Sequence, residues 1–398
     1  MEEDNSLRQY DVVVVGGGIV GSSTAYHLAK NGHKTLLLEQ FDFLHHRGSS
    51  HGESRTIRAT YKQPYYCDLV LESSKIWEEA EAEIGYKVYF KTTHFDMGPS
   101  DDKNLLSLMR SCSVNGYPFE KLEPAAVRDK FTGKISMPNG WVGVASELGG
   151  VLKATKAVTM FQTLASRNSA MLMDNTEVTS IVRADKGGIW VYTAGGGMFW
   201  GKKCVIAAGG WTGKLLKIVA GIHLPVETVE TSVHYWRIKE GYEVDFTIDN
   251  GFPTFASHGR PYIYGTPALE YPGLIKVAIH GGQPCDPDKR VWGNQESSND
   301  SIREWIKETF GGKVVYDRPA FSQLCMYTMT PDEDFVIDFL GGEFGNDVVV
   351  GGGFSGHGFK MGPVLGRILA DMAMTGATDD VDLCHFSISR FHQTELLR

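Results

Sequence analysis

The sequence lacks any long apolar segment and any excess of basic residues. No window offers the ~18 uninterrupted apolar residues of a membrane span, so no such span is predicted. The 39 Lys and Arg against 48 Asp and Glu give a net charge of −9, which provides no general attraction for nucleic acid or an anionic membrane. The acidic start MEEDNSLRQYD is the opposite of a signal or transit peptide, and we expect cytosolic synthesis.

Cysteine is also scarce, with six residues in 398 and no C-x-x-C spacing. Neither a disulfide framework nor a zinc site is therefore indicated. The group His45, His46, His51 and Glu53 has no clean ligand spacing and no second cluster, so no metal is predicted. The last four residues, Glu-Leu-Leu-Arg, do not form an S-K-L signal, so no peroxisomal address is visible.

The composition that remains is that of a folded enzyme. A hydrophobic content of 42% over 398 residues is enough for two or three domains. Internal repeats and low-complexity linkers are absent from the sequence. We therefore expect an enzyme that acts on a small molecule.

The strongest motif lies in residues 11–39. Residues 12–15 are four consecutive valines, a pattern typical of a parallel strand buried on both faces. Gly16, Gly18 and Gly21 follow in G-x-G-x-x-G spacing. The first glycine allows a tight turn, the second lets the backbone approach a pyrophosphate, and the third lets a helix pack on the strand. The phosphate would bind the free amides of a helix N-terminus.

The rest of this stretch continues the same unit. A helical pattern runs to Asn31-Gly32, and residues 35–38 provide a second strand. Glu39 follows about 18 residues after Gly21, near the ~20 expected of an acid that accepts the ribose hydroxyls. An acid there disfavours a 2′-phosphate, so NAD or FAD is favoured over NADP. The alternative is a glycine-rich turn in an ordinary βαβ unit.

The middle of the chain alternates between loops, helices and short strands. Residues 41–58 predict a loop followed by the start of a helix, and residues 65–84 predict a helix. Residues 152–165 predict another helix, and three strand candidates follow it. The last of these strands ends close to Gly209, which predicts a second backbone approach to a dinucleotide.

Both ends of the chain carry a strand–glycine–helix pattern, because residues 348–360 read VVVGGGFSGHGFK before a further helix. We therefore predict an α/β fold with a discontinuous Rossmann-like cofactor domain and a substrate domain whose sheet is mixed and largely antiparallel. The cofactor domain is predicted to comprise residues 1–87, 145–222 and 323–398. The substrate domain is predicted to comprise residues 88–144 and 223–322.

Three segments together resemble one enzyme family. They are HGESRTIR (residues 51–58), CMYTMTPDE (residues 325–333) and GFSGHGFK (residues 353–360). Over nearly its whole length the chain is similar to the monomeric sarcosine oxidase and pipecolate oxidase family, in its plant-like eukaryotic branch. The resemblance implies the FAD-dependent amine oxidase fold, with the cofactor domain binding FAD. It also implies oxidation of a secondary amino acid by O2 to an imine, which hydrolyses, with release of H2O2.

Cys325 stands between Leu324 and Met326. A cysteine in such a place is usually a small buried hydrophobe. The resemblance implies another role, since the matching cysteine of the family is joined covalently to the 8α-methyl group of FAD. A thioether of this kind prevents cofactor loss and raises the potential of the flavin.

Arg58 and Lys360 are the candidate substrate-binding cations. Each alone is more often a solvated surface charge. A guanidinium can grip a carboxylate with two hydrogen bonds, and a lysine adds a point charge. The two match the family's carboxylate-binding positions and are expected on separate glycine-rich loops. Arg55 resembles the family's arginine beside the flavin ring, where it would favour the reduced, anionic form.

Lys276 is a lysine inside an otherwise apolar strand, Gly-Leu-Ile-Lys-Val. It is either an edge-strand lysine that faces water or an inward charge. The resemblance favours the inward position, beside the flavin, where it would activate O2. His280 shares its face by period two and matches an active-site histidine, although a strand histidine is more often simply hydrogen-bonded. Tyr264 matches a substrate-pocket aromatic, with Tyr262 and Tyr327 as competitors.

The resemblance leaves several features of the enzyme open. Sarcosine, N-methyl amino acids, pipecolate and proline all fit as substrates, and the alternatives are a dehydrogenase that uses another electron acceptor and a non-catalytic FAD-binding protein. A monomer, a peroxisomal location and no nucleic-acid or membrane partner are expected. His357 is expected to pack at the flavin turn. The candidate cofactor-binding residues are Gly16, Gly18, Gly21, Glu39, Ser49, Ser50, Arg55, Gly209, Cys325, Gly353, Gly356, Gly358 and Lys360.

Overall fold

The computed structural model describes residues 9–290, 300–379 and 381–391. The acidic start before residue 9 and the last four residues, on which the targeting predictions depend, lie outside the described residues. In the described part no helix combines the length and the apolar composition needed to cross a membrane. The helices there are α1 (Ile19–Lys30), α2 (Pro64–Ile84), α3 (Lys103–Val114), α4 (Pro124–Lys130), α5 (Ala154–Arg167), α6 (Thr212–Ala220), α7 (Asp300–Thr309) and α8 (Gly362–Thr375).

The strands form three sheets. In chain order they are β1 (Gln9–Val15), β2 (Thr35–Leu38), β3 (Arg55–Arg58), β4 (Tyr89–Lys91), β5 (His94–Pro99), β6 (Glu120–Leu122), β7 (Trp141–Ser146), β8 (Gly149–Leu152), β9 (Met171–Met173), β10 (Val178–Arg183), β11 (Ile189–Thr193), β12 (Met198–Ile206), β13 (Glu227–Arg237), β14 (Thr254–Ser257), β15 (Ile263–Thr266), β16 (Leu274–Ile279), β17 (Gln283–Pro284), β18 (Phe321–Met329), β19 (Val336–Gly341) and β20 (Gly345–Gly352).

The eight-stranded sheet is the predicted Rossmann-like core. Its parallel strands lie in the order β9-β2-β1-β12-β20, with β1 at the centre. The first half of β12 also pairs with the antiparallel ribbon β10-β11, and β19 runs antiparallel to β20. The valines of β1 are buried because both of its faces are covered, which explains their lack of alternation. The predicted strand–turn–helix–strand unit is confirmed.

Helices cover one face of this sheet. Helix α1 packs between α5 and α8, and α2 packs against α5 and α8. These helices share one hydrophobic core with the sheet, and residues of β10, β11, α6 and β20 form a second core on the other face. Because α1 comes from the start of the chain and α8 from the end, this unit is discontinuous, as the sequence predicts.

The nine-stranded sheet is mixed and largely antiparallel, as predicted. Its main order is β17-β13-β16-β15-β14-β5-β7-β6, with β18 on the other edge of β13. Only the β14–β5 pair is parallel among its described pairs. An aromatic core that includes Phe246, Phe252, Phe255 and Phe310 lies against it, together with helix α7. The predicted cofactor segment begins at residue 323, whereas β18 pairs within this sheet up to Met329.

A small three-stranded sheet, β3-β8-β4, joins the two larger units. This sheet and the segment before α8 correct two predictions. Residues 55–58 form strand β3 and not the start of a helix, because their backbone pairs with β8 from Arg55↔Leu152 to Arg58↔Gly149. Arg58 and Lys360 also do not lie on glycine-rich loops. Arg58 ends β3, and Lys360 lies in the short 3-10 helix Phe359–Met361 before α8.

Candidate active site

The glycine turn after β1 is tightly enclosed. Gly16 has φ of +109°, a conformation that favours glycine. A Cβ on Gly21 would lie 1.9 Å from the carbonyl oxygen of Gly16, so α1 can approach the turn only with glycine there. A Cβ on Gly18 would lie 3.0 Å from the Ser50 side chain. The turn at Gly16 and the close helix contact at Gly21 agree with two of the predicted duties, and the approach of Gly18 to a pyrophosphate stays a prediction.

Glu39 lies at the end of β2, beside the turn. Its side chain is buried, and the Gly17 amide donates to Oε2 over 2.7 Å. The Phe41 amide donates to Oε1 over 3.1 Å, and His45 Nε2 lies 3.4 Å from the same oxygen. The carboxylate is therefore fixed at the edge of the glycine turn, where an acid for ribose hydroxyls is required.

A long cavity runs from this turn to β18. Most of the predicted cofactor-binding residues border it: Gly16, Gly18, Glu39, Ser49, Ser50, Arg55, Gly209, Cys325, Gly356 and Gly358. Gly21 and Gly353 do not border it, since Gly21 packs α1 onto the turn and a Cβ on Gly353 would lie 2.7 Å from Thr330 Cγ2. Lys360 borders a second cavity instead.

The donor set of this first cavity fits an adenine dinucleotide. Both ring nitrogens of His51 are buried and have no hydrogen-bond partner among the residues that the structure describes, although His51 borders the cavity. Burial first, and then the positive charge of Arg55, lowers the pKa of His51 to about 3, so the imidazole is neutral. Together with the glycine turn and Glu39, this buried imidazole without a partner suits a bound polar cofactor.

The second cavity adjoins the first at one end. The residues that border both are Arg55, Cys325, Tyr327, Gly356 and Phe359. The second cavity is also lined by Arg58, Tyr264, Lys276, His280 and Lys360. The structure therefore brings the predicted catalytic and substrate-binding residues into one chamber that opens towards the cofactor cavity.

Arg55 and Cys325 meet at the junction of the two cavities. Arg55 Nη2 donates to the His51 carbonyl over 2.6 Å and to the Ser49 carbonyl over 3.1 Å, and it lies 3.5 Å from Cys325 Sγ. These carbonyls hold the guanidinium at the cavity wall. Cys325 is buried on β18, but unlike a core cysteine its residue borders both cavities.

Lys276 is the inward lysine of the two predicted alternatives. Its strand β16 lies between β13 and β15, so it is not on an edge, and the residue is 2% exposed. Its Nζ donates to the Ser54 carbonyl over 2.8 Å and lies 5.9 Å from the centre of the Tyr264 ring. Burial, and then the charge of Arg55, lowers the pKa of Lys276 to about 7.

Arg58 and Lys360 approach each other around Tyr61. The Arg58 guanidinium lies 4.3 Å from the centre of the Tyr61 ring, and Lys360 Nζ donates to the Tyr61 hydroxyl over 3.0 Å. Burial, with Arg58 as the second cause, holds the pKa of Lys360 well below its ordinary value. An anion in this cavity would relieve the repulsion between these two cations.

Three aromatic residues and His280 form another wall. The hydroxyl groups of Tyr264 and Tyr327 lie 3.2 Å apart, and the His280 ring centre lies 5.3 Å from that of Tyr327 and 5.8 Å from that of Tyr262. His280 follows directly after β16. Both candidates, and both competitors of Tyr264, therefore border the same chamber.

Sequence reasoning missed a buried polar cluster beside this chamber, whose lining residues include Thr60, His94 and His258. Asp96 is fully buried, and it accepts from Thr60 Oγ1 over 2.7 Å and from His258 Nε2 over 2.9 Å. His94 Nε2 lies 3.4 Å from Asp96 Oδ2, the oxygen that also accepts from Thr60. Although burial opposes it, the charges and hydrogen bonds of the two histidines hold the pKa of Asp96 well below its ordinary value. The available signal was an acid inside the strand His94–Pro99.

Tyr61 was missed as well, although it links both candidate cations. It lies in the short connection between β3 and α2, and no strand or helix pattern marks it. His45, His46, His51 and Glu53 do not assemble as a metal site. Of the described residues, one group could offer metal ligands, and its members Asp382, Cys384 and His385 are all exposed.

Comparison with known proteins gives the class of enzyme. The family described as "FAD dependent oxidoreductase" (DAO) matches residues 11–372. Two solved structures share the fold with a TM-score of 0.82: the amino acid oxidase NikD, at 24% identity, covers 96% of this chain and 97% of its own, and L-proline dehydrogenase from P. horikoshii, at 22% identity, covers 97% and 99%. The cofactor is therefore FAD, and the predicted fold class is confirmed.

Curated relatives narrow the class further. The chain is 61% identical to "Probable sarcosine oxidase" of Arabidopsis thaliana, over 96% of this chain and 93% of that protein. It is 36% identical to human "Peroxisomal sarcosine oxidase", over 96% of each. It is 32% identical to "Monomeric sarcosine oxidase" of Arthrobacter, over 96% and 97%. The chain belongs to the sarcosine oxidase family of FAD-dependent oxidoreductases, and the predicted resemblance is confirmed.

Proposed function

We propose that this protein oxidises a secondary amino acid with O2, through FAD, to an imine and H2O2, and that the imine then hydrolyses. The substrates considered are sarcosine, N-methyl amino acids, pipecolate and proline. The observation that supports this most is the junction of the two cavities, where Arg55 and Cys325 stand at the border and Arg58 and Lys360 lie just beyond it. Bound FAD would supply the two-electron acceptor for the amine.

The substrate carboxylate is assigned to Arg58 and Lys360. The guanidinium offers a planar pair of donors, and the lysine offers a point charge with little water around it. Tyr61 holds the two cations apart through its ring and its hydroxyl. Since the low pKa of Lys360 makes its neutral form accessible, a bound carboxylate would draw a proton back onto Nζ.

The other side of the substrate is assigned to the aromatic wall. Tyr264 and His280 would contact the amine and its substituents, because both border the chamber, Tyr264 from β15 and His280 from the position directly after β16. Among the described residues, no ion pair to His280 is present. A neutral wall of this kind suits an amine that binds without its proton.

Lys276 and Arg55 are assigned to the cofactor's reacting face. Lys276 would place a positive charge where O2 is reduced. Because Lys276 is buried, the electrostatic interaction of that charge with the reduced oxygen would be stronger than in water. Arg55 would keep a second positive charge at the cavity border. Cys325 is assigned to a covalent link to FAD, because its residue borders both cavities and its thiol is held against Arg55.

The deciding experiment is anaerobic mixing of the purified protein with sarcosine, pipecolate, proline and N-methyl amino acids. Loss of the flavin absorbance by one of these supports the proposed reaction, and no bleaching by any of them favours a non-catalytic FAD-binding protein. Release of H2O2 on admitting air separates an oxidase from a dehydrogenase with another acceptor. Lys276→Met should keep flavin reduction and lose most of the reaction with O2; unchanged reoxidation would show that Lys276 has no such role.

Further parts of the proposal concern organisation and location. The proposed division keeps the predicted bounds, with the FAD-binding domain at residues 1–87, 145–222 and 323–398 and the substrate domain at residues 88–144 and 223–322, while β18 crosses from one to the other because it pairs with β13 up to Met329. The human relative is named a peroxisomal enzyme and the Arthrobacter relative a monomeric one. A monomer in the peroxisome is proposed for this chain on that basis, and gel filtration and imaging of a tagged full-length chain would test it.

A further inference from the structure

Arg290 joins three segments that meet at the cofactor cavity. Its Nε donates to Glu230 Oε2 over 2.9 Å, its Nη1 donates to the Arg47 carbonyl over 2.9 Å, and its Nη2 donates to the Cys325 carbonyl over 3.2 Å. The side chain is 1% exposed. No motif in the sequence marks this arginine, and none of the roles proposed above uses it.

Two of these partners, the carbonyls of Arg47 and Cys325, belong to the two segments that meet at the Cys325 thiol. Arg47 belongs to the segment of residues 41–52, here called the cofactor loop, which contributes Ser49, Ser50 and His51 to the cavity wall. Cys325 Sγ lies 4.0 Å from the Ser49 carbonyl oxygen, across the boundary between this loop and β18. One guanidinium therefore ties the backbone of the loop to the backbone of the cysteine itself.

The Arg290 guanidinium is a buried charge, and we interpret its contacts with the two carbonyls as the reason for that burial. An arginine side chain with 1% exposure loses its hydration, and the ion pair with Glu230 offsets that loss only in part. Neutral residues could fill this place between the cofactor loop and β18. They could not offer donors to two carbonyls in fixed directions, which the planar guanidinium does.

The segment that precedes Arg290 supports the same interpretation. Strand β17 pairs with β13 at Val229 and Glu230, and Asp288 beyond it accepts from Trp211 Nε1 over 2.6 Å. Lys214 also donates to Asp286 and Asp288. Residues 283–290 thus run from the nine-stranded sheet along the cofactor cavity, which Asp288 borders, and end at the buried guanidinium.

We propose that Arg290 is a positioning residue that holds the cofactor loop and Cys325 in the arrangement required for attaching and retaining FAD. This inference rests on the proposed covalent link. In that reaction the Cys325 S–H and one C–H of the 8α-methyl group are lost and an S–C bond forms. The two electrons and two protons reduce the flavin, and O2 reoxidises it with release of H2O2. Arg290 takes no part in these bonds.

The test compares purified holoprotein of the wild type with Arg290→Gln and with the double variant Glu230→Gln/Arg290→Gln. The double variant does not leave the Glu230 carboxylate buried without its arginine, so it separates the loss of the two carbonyl bonds from the destabilisation that an unpaired Glu230 would cause. Arg303→Gln is the matched control, because Arg303 forms an exposed ion pair with Asp300 on α7. The readouts are the fraction of flavin that stays with acid-precipitated protein and the rate of trypsin cleavage after Arg47.

For both Arg290 variants we expect at least a fivefold lower acid-stable flavin fraction and at least tenfold faster cleavage after Arg47. Arg303→Gln should match the wild type in both. Wild-type values in the double variant would overturn the inference. If the wild-type flavin is itself soluble in acid, the covalent link fails. Arg290 is then judged by trypsin cleavage and by flavin lost on desalting, where wild-type values in the double variant overturn the inference equally.

Discussion

The two cavities are built from different parts of the polypeptide. At its phosphate end the cofactor cavity is made of backbone, with Gly16 and Gly18 at its surface and Gly21 packed behind them. The second cavity, which we propose binds the substrate and here call the substrate cavity, is lined by side chains such as those of Arg58 and Lys360, which come from segments about three hundred residues apart. A surface made of backbone requires glycine at fixed spacing and so leaves a pattern in the sequence. A surface made of converging side chains leaves no pattern in any single segment.

This contrast predicts the largest effect at the glycine turn. Gly21→Ala would place a Cβ 1.9 Å from the Gly16 carbonyl oxygen, where only backbone can move. We expect the free energy of unfolding to fall by about 3 kcal/mol or more, and FAD to be lost. Urea denaturation and flavin absorbance measure these. Gly195→Ala, whose Cβ would have no neighbour within 4 Å, is the control and should be close to neutral.

The second prediction concerns a side chain of the substrate cavity. Arg58→Gln removes a charged pair of donors but leaves the fold, so kcat/KM for the best substrate should fall about 100-fold, mainly through KM. Steady-state kinetics at several substrate concentrations separate KM from kcat. Lys62→Gln, at the exposed mouth of the same cavity, should change kcat/KM less than about threefold. Equal effects of the two substitutions would contradict the role of Arg58.

The third prediction concerns pH and Lys360. Burial holds its pKa well below the ordinary value, so a bound carboxylate favours the protonated lysine and binding takes up a proton. The affinity for acetate should therefore fall as pH rises, by up to about tenfold per unit above the pKa of Lys360. Flavin absorbance titrations measure it. Lys276, with a pKa of about 7, also titrates in this chamber, so the difference between wild type and Lys360→Met isolates the Lys360 contribution.

The smallest effect is expected outside both cavities. Burial, and also the nearby Glu53 carboxylate, raises the pKa of Glu270 to about 7 against the opposing charge of Lys153. The folded state then binds more protons than the unfolded state between the ordinary carboxyl pKa and about 7, so stability falls as pH rises through that window. Glu270→Gln should be more stable than the wild type above pH 7 by about 1 kcal/mol, after allowance for solvent screening, and equal to it in acid. Urea denaturation at two pH values measures this.

Much of the cofactor half could be predicted from the sequence. The strand, turn, helix and second strand of residues 9–38 follow from the pattern of apolar residues and from the glycine spacing. Glu39 lies where the motif predicts it. The discontinuous domain was predicted from the two strand–glycine–helix patterns. Local sequence patterns are sufficient for this prediction because one short segment forms both the βαβ unit and the glycine turn of the site.

The substrate half was predicted mainly through family resemblance. Residues 55–58 were predicted to start a helix, since nothing local reveals that β8 pairs with them. Tyr61, Asp96 and Arg290 have ordinary neighbours in the sequence, and their importance arises from contacts across more than thirty residues. A single sequence contains no measure of such contacts, so residues of this kind cannot be found from pattern alone.

The five residues that border both cavities link the two sites. Arg55, Cys325, Tyr327, Gly356 and Phe359 each contribute to the walls of both cavities. A change of side chain at any one of them therefore alters two surfaces at once. We expect substitutions there to change cofactor retention and substrate affinity together, whereas Glu39 and Arg58 each border a single one of these cavities.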